Sequence, residues 1–177
     1  RSFDVDDKDS RYFLHVNSLG YHEVYLNGSK VGKGVLTPAV SQYGKRSLVN
    51  TYELTGLLEK GKNDLMIWLG SGWYTEGLFD VVKTGPLVRA QLEKVSSKDV
   101  RETLLVTDKS WSGRLSSYSR TGSWKPHHFG GEIVDGSLAG SDLSVESTAG
   151  RSWAPVTEVS VPAHKVTPQM VELNQIT

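Results

Sequence analysis

Residues 21 to 32 read YHEVYLNGSKVG, and the Asn27-Gly28 pair inside them decides the class of fold. A two-residue loop that returns a strand along its own twist needs positive φ at both positions, and Asn-Gly adopts this with little strain. EVYL and SKVG on either side are therefore expected to pair as a tight hairpin. Upstream, RYFLHVN (11 to 17) alternates, with Tyr12, Leu14 and Val16 on one side and Phe13, His15 and Asn17 on the other. Downstream, RSLVNTYEL (46 to 54), DLMIWLG (64 to 70), LVRAQLEKV (87 to 95) and ETLLVT (102 to 107) read as strands. GGEIVDG (130 to 136) and PVTEVSV (155 to 161) carry the same signal more weakly. One stretch reads as helical: LTGLLEKGKN offers Thr55 as an N-cap, about one turn, and Gly61 as its stop. Short strands with turn signals every ~8–12 residues predict an all-β, antiparallel sandwich or jelly roll with one or two helical turns.

The chain has 177 residues, the size of one domain with a short extension. A chain of this size buries roughly 70% of its unfolded surface and so builds its own core. Twenty basic and twenty acidic residues leave a formal net charge of +0. That balance argues against nucleic acid or an anionic membrane as partner, and no apolar run approaches the ~20 residues of a membrane span. The opening RSFDVDDKDS is charged from its first residue and lacks a secretory pattern. With no initiator Met, the chain reads as a mature or excised piece. Cysteine is absent, which excludes disulfides and thiol catalysis and fits cytoplasm and periplasm alike. Residues 1–162 are expected to form the sandwich, with the Gly-, Ser- and Ala-rich stretch 136–150 as a long surface loop. Residues 163–177 read as a last strand or a linker toward a downstream domain.

Few residues suit chemistry. In DVDDKD (4 to 9), Asp4 and Asp6 match the first positions of a calcium loop, but Lys8 and Asp9 break the pattern and leave a solvated acidic turn. His127 and His128 are adjacent, so on a strand they point to opposite faces and do not share a metal. No G-x-S-x-G or phosphate-binding glycine loop occurs. The loop GSGWYTEGLF (70 to 79) sets Trp73 and Tyr74 between Gly70, Gly72 and Gly77. Such rings stack on a sugar or plug the end of a sandwich, and packing or an interdomain contact is the preferred reading. Trp111 is expected in the core. Trp124, in the polar GSWKPHH, is the better candidate for an exposed ring, with Tyr118 and Arg120 near it in sequence.

Ordered blocks extend this reading. Gly20, Glu23, Asn27, Gly28 and Val31 form the first, and Leu36, Pro38, Tyr43, Lys45 and Arg46 the second. Thr51, Tyr52, Leu54, Thr55, Gly61 and Asn63 form the third, and Gly70, Gly72, Trp73 and Tyr74 the fourth. With LVRAQL, VTDKSW and FGGEIVD further on, they resemble the N-terminal domain of bacterial α-L-rhamnosidases of glycoside hydrolase family 78, over about positions 12 to 160. A looser likeness runs to the sugar-binding domains of family 2 β-glycosidases. Departures are Glu53 for a usual Asp, PAVSQY without its usual Trp, and Val134 at a common Tyr position.

The resemblance implies a galactose-binding-like jelly roll without catalytic residues, in which a structural calcium stays open and no other cofactor is expected. It implies that catalysis sits on a separate (α/α)₆ barrel of the same parent chain, which uses a carboxylate pair with inversion. The domain would support that barrel and contact plant or host rhamnose-containing glycans through Trp73, Tyr74, Tyr118, Arg120 and Trp124. The alternatives are a purely structural docking domain and a family 2-type sugar-binding domain. A periplasmic or extracellular parent is favoured, with the cytoplasm left open.

Overall fold

The structure, a computed structural model, describes residues 1–76, 84–122, 130–144, 152–160 and 165–176. The chain begins with β1 (Ser2–Val5), β2 (Arg11–Leu19), β3 (Tyr21–Leu26), β4 (Ser29–Lys30), β5 (Gly34–Val35), β6 (Arg46–Glu53) and β7 (Gly61–Gly70). A 3₁₀ turn (Gly72–Glu76), β8 (Leu87–Val95) and β9 (Arg101–Val106) follow. Then come β10 (Ser112–Gly113), β11 (Tyr118–Thr121), β12 (Gly131–Val134) and the single-turn helix α1 (Gly136–Ala139). β13 (Ala154–Pro155), β14 (Lys165–Pro168) and β15 (Asn174–Gln175) complete the order.

These elements fall into two compact units, Arg1–Asp108 with Val159–Thr177, and Lys109–Glu158. The first is an antiparallel β-sandwich, as expected. One sheet runs β1-β7-β3-β4 and the other β14-β6-β2-β8-β9. β14 lies parallel to β6, the one parallel pair among the described strands. Alternation along β2 holds: Tyr12, Leu14 and Val16 are buried, as are Val24, Leu26 and Leu65 on strands of the other sheet. Burying each such aliphatic side chain contributes about 1.5–3 kcal/mol.

The hairpin forms where Asn-Gly predicts it, with Tyr25 opposite Lys30 and Leu26 opposite Ser29. Asn27 and Gly28 take φ of 51° and 78°. The Asn27 side chain accepts from Asp64 N at 2.8 Å and donates to Asn63 Oδ1 at 3.0 Å, which ties the turn to β7. Asn63 is fully buried, donates to Glu59 O and Gly61 O, and accepts from Glu59 N. Its amide thereby closes the turn that precedes β7.

Two expectations change in detail. The turn after β6 is anchored by the Leu54 carbonyl, which accepts from Leu57 N and Leu58 N. The Thr55 hydroxyl bonds elsewhere: it accepts from Tyr12 N of β2 at 3.1 Å and donates to Glu53 Oε1 at 3.2 Å. Of PVTEVSV, only Pro155 lies in a strand; the described residues after it are exposed, and Val156 N donates to the Trp111 carbonyl at 3.2 Å without extending the strand.

The second unit contains the β11–β12 ribbon and the β10–β13 pair. Arg114 organises it. Its guanidinium lies 4.4 Å from the Trp153 ring centre, and Nη2 donates to the carbonyls of Ser144 and Asp142 at 2.8 and 3.3 Å. Buried Asp142 in turn accepts from Ser117 N and Ser117 Oγ.

Candidate functional site

The end of the sandwich beside β7 carries the first pair of predicted residues. The chain passes from β2 of the five-stranded sheet to β3 of the other sheet through Gly20, whose φ of 106° is open to glycine. A Cβ there would lie 2.4 Å from the Gly70 carbonyl oxygen. Gly72, at φ 55°, approaches Tyr21 so closely that a Cβ would meet the ring at 3.1 Å. These contacts bring the 3₁₀ turn down onto the sandwich end. Tyr74 is 3% exposed and meets Tyr43 edge-on, with ring centres 5.4 Å apart at 80°. Leu19 joins these two rings, and Trp73 and Leu87 pack against them. Burial pushes the Tyr43 hydroxyl up to about 12, and Trp73 hydrogen-bonds the Tyr21 hydroxyl. Tyr74 is thus a packing residue without an open face, whereas Trp73 is half-buried.

Tyr118 and Arg120 lie in the other unit, two residues apart on β11, and so share one face of the ribbon. Tyr118 stands opposite Val134 and Arg120 opposite Glu132. Tyr118 is 45% exposed, and Arg120 is exposed as well. A ring beside a guanidinium and a carboxylate can stack on a sugar and bond its hydroxyls. Trp124, His127, His128 and positions 145 to 150 of the expected surface loop lie outside the described residues. Trp111 is buried, as expected.

One constellation was not singled out from the sequence. Ser18 Oγ lies 2.7 Å from His22 Nδ1, and His22 Nε2 lies 2.9 Å from the Tyr52 hydroxyl. Ser18 also donates to Gly20 O at 3.1 Å. If that proton is so used, the imidazole donates from Nδ1 to Ser18 and accepts the Tyr52 proton at Nε2. The arrangement has the elements of a nucleophile and base, but Ser18 and His22 are both fully buried and no substrate reaches them. Burial lowers the His22 pKa to about 4, against a smaller opposing effect of Glu23, so the ring is neutral near pH 7. Burial also raises the Tyr52 hydroxyl to about 12, so it stays protonated. The group bridges strands of both sheets and acts as a clamp. Its signal in the sequence was a polar residue in an apolar register: Ser18 follows Tyr12, Leu14 and Val16, and His22 precedes Val24 and Leu26.

At the N-terminus the organising acid is Asp7. Its carboxylate accepts from Ser10 Oγ at 2.7 Å and Asp9 N at 2.8 Å and pairs with Lys94 at 3.2 Å. The Ser10 bond leads in holding its pKa down to about 2. Among the described residues no group of three His, Asp or Glu could hold a metal ion.

Comparison with known proteins gives a consistent result. The family model described as "Alpha-L-rhamnosidase N-terminal domain" matches residues 8–177. An α-L-rhamnosidase of Formosa agariphila is 29% identical over 168 residues, which cover 89% of this chain and 17% of the relative. One from an Alteromonas species is 29% identical over 173 residues, covering 94% of this chain and 18% of the relative. The solved α-L-rhamnosidase from Dictyoglumus thermophilum superposes with a TM-score of 0.76 at 26% identity, over 97% of this chain and 18% of that one. The chain spans less than a fifth of the length of these relatives.

Proposed function

The chain belongs to the α-L-rhamnosidase N-terminal domain family, and from that membership we propose that it is a non-catalytic accessory domain. It supports the catalytic part of a larger glycoside hydrolase acting on rhamnose-containing glycans. The observation that carries this reading is the match across residues 8–177 to a domain that makes up less than a fifth of its relatives. The fate of the chain's polar chemistry agrees with it. The Ser18–His22 pair is sealed between the sheets, Asp7 spends its oxygens on its own turn and Lys94, and buried Asp142 spends its oxygens on Ser117. The purified chain is expected to leave an aryl α-L-rhamnoside intact under conditions where the full-length parent hydrolyses it. Turnover by the chain alone would remove the proposal.

A second reading, direct contact with glycan, draws on the exposed pairing of Tyr118 and Arg120 on one face of β11. Trp73, held in place by Tyr74 in the first unit, is a separate candidate ring, and Trp124 lies outside the described residues. A stacked ring is worth about 1–1.5 kcal/mol, so Tyr118→Ala should weaken rhamnogalacturonan binding about five- to tenfold. Titration followed by tryptophan fluorescence tests it, and no response at millimolar sugar removes it.

A further inference from the structure

The first unit exposes an apolar strip that its own core does not use. β15 pairs with β5, with Gln175 opposite Gly34 and Asn174 opposite Val35. Gln169, just past β14, accepts from Ala39 N at 2.8 Å and donates to Val171 O at 3.2 Å. These bonds lay residues 34–40 and 169–176 side by side. Along the two segments Leu36 is 58% exposed, Met170 90% and Ile176 85%, and Val40 and Val171 are exposed with them. Charge enters only at the margins of the two segments: exposed Glu172 follows Val171, and Ile176, one step past the Gln175–Gly34 pair, runs toward exposed Lys33. Large apolar side chains exposed together on adjacent segments and rimmed by polar residues mark a contact face.

Leu36 adds an independent sign. It holds φ at 52°, the left-handed region that a bulky side chain rarely enters and that costs on the order of 1–3 kcal/mol. Little of that cost returns as burial within this domain, because the side chain points largely into solvent. The strain instead presents an apolar group outward.

We propose that this strip, Leu36, Val40, Met170, Val171 and Ile176, is the surface on which the larger part of the same polypeptide docks through an apolar face. The occupant follows from length and order. The relatives hold more than four-fifths of their chain outside this domain, and an N-terminal domain passes its chain on from its C-terminal side. Three of the five side chains belong to that C-terminal segment, so the strip lies along the path to the remainder. The inference rests on the accessory-domain reading above.

The test combines Leu36→Asn, Met170→Ser and Ile176→Ser. In the full-length parent the triple variant is expected to raise protease cleavage between this domain and the remainder by about tenfold or more and to split the thermal transition in two. In the 177-residue chain alone the same variant melts no lower than the unsubstituted chain, because the lost side chains are exposed and asparagine suits the left-handed conformation. A full-length variant with unchanged cleavage and one transition overturns the docking strip while leaving the accessory role intact. An unsubstituted parent in which this domain already melts and is cleaved independently overturns the supporting role itself, and the strip with it. Loss of stability in the isolated variant would make the strip part of the core, and a dimer of the isolated chain that the variant abolishes would make its occupant a second copy. Either result overturns the proposal.

Discussion

His22 shows what one residue can decide. Its ordinary pKa near 6.5 falls to about 4 in the fold because burial disfavours the charged ring. The unfolded chain therefore takes up a proton that the folded chain refuses, and stability falls as pH drops from about 6.5 to about 4. Linkage over that interval amounts to about 3 kcal/mol. Urea denaturation at pH 7 and pH 4.5 should show this loss, and His22→Gln should flatten it. An unchanged slope in the variant would assign the titration elsewhere. Asp7 and Glu23, held below their ordinary values, lose their contributions at lower pH. Gly20 makes the steric counterpart. Alanine there sets a methyl 2.4 Å from a carbonyl oxygen at a φ of 106°, and should cost more than about 2 kcal/mol in chemical denaturation.

At the scale of elements, regular alternation and turn chemistry could be read directly. β2, β6, β7, β8 and β9 lie where their apolar periods predict; the first four carry buried residues whose register cannot slip without exposing them, and β9, with none buried, pairs along the edge of β8. The Asn27-Gly28 turn could be read because its φ requirement is local. The segment after Pro155 could not, since an alternating pattern needs a strand ladder to become one, and among the described residues its ladder stops at the Val156 N–H bond to the Trp111 carbonyl. Arg114 was equally invisible. Its ring contact and carbonyl bonds join residues 27 to 39 positions away. Arg114→Lys keeps the charge and loses the planar fork, so amide exchange in 141–144 should rise while far-UV circular dichroism stays the same. Unchanged protection would show that the turn holds without Arg114.

For the whole molecule, charge balance and family order speak to partners. A formal net charge of +0 offers no basic field, so the chain should be retained neither by DNA nor by anionic vesicles at moderate salt. Retention that falls steeply with salt would contradict this. The candidate ligand residues were only partly legible. Trp73 and Tyr74 stand next to each other in sequence, yet one is half-buried and the other lies in the core, and sequence cannot tell which way a short 3₁₀ turn faces its rings.

By itself, the sequence determined the strand class, the hairpin and the family, because φ demands, alternation and block order are properties of neighbours along the chain. The tertiary structure alone decided that a Ser–His pair is a clamp rather than a catalyst, that Tyr74 is packing, and that Leu36 and Met170 face outward together. Those outcomes depend on which surfaces meet across sheets and segments far apart in the chain, and burial follows from that meeting rather than from residue type.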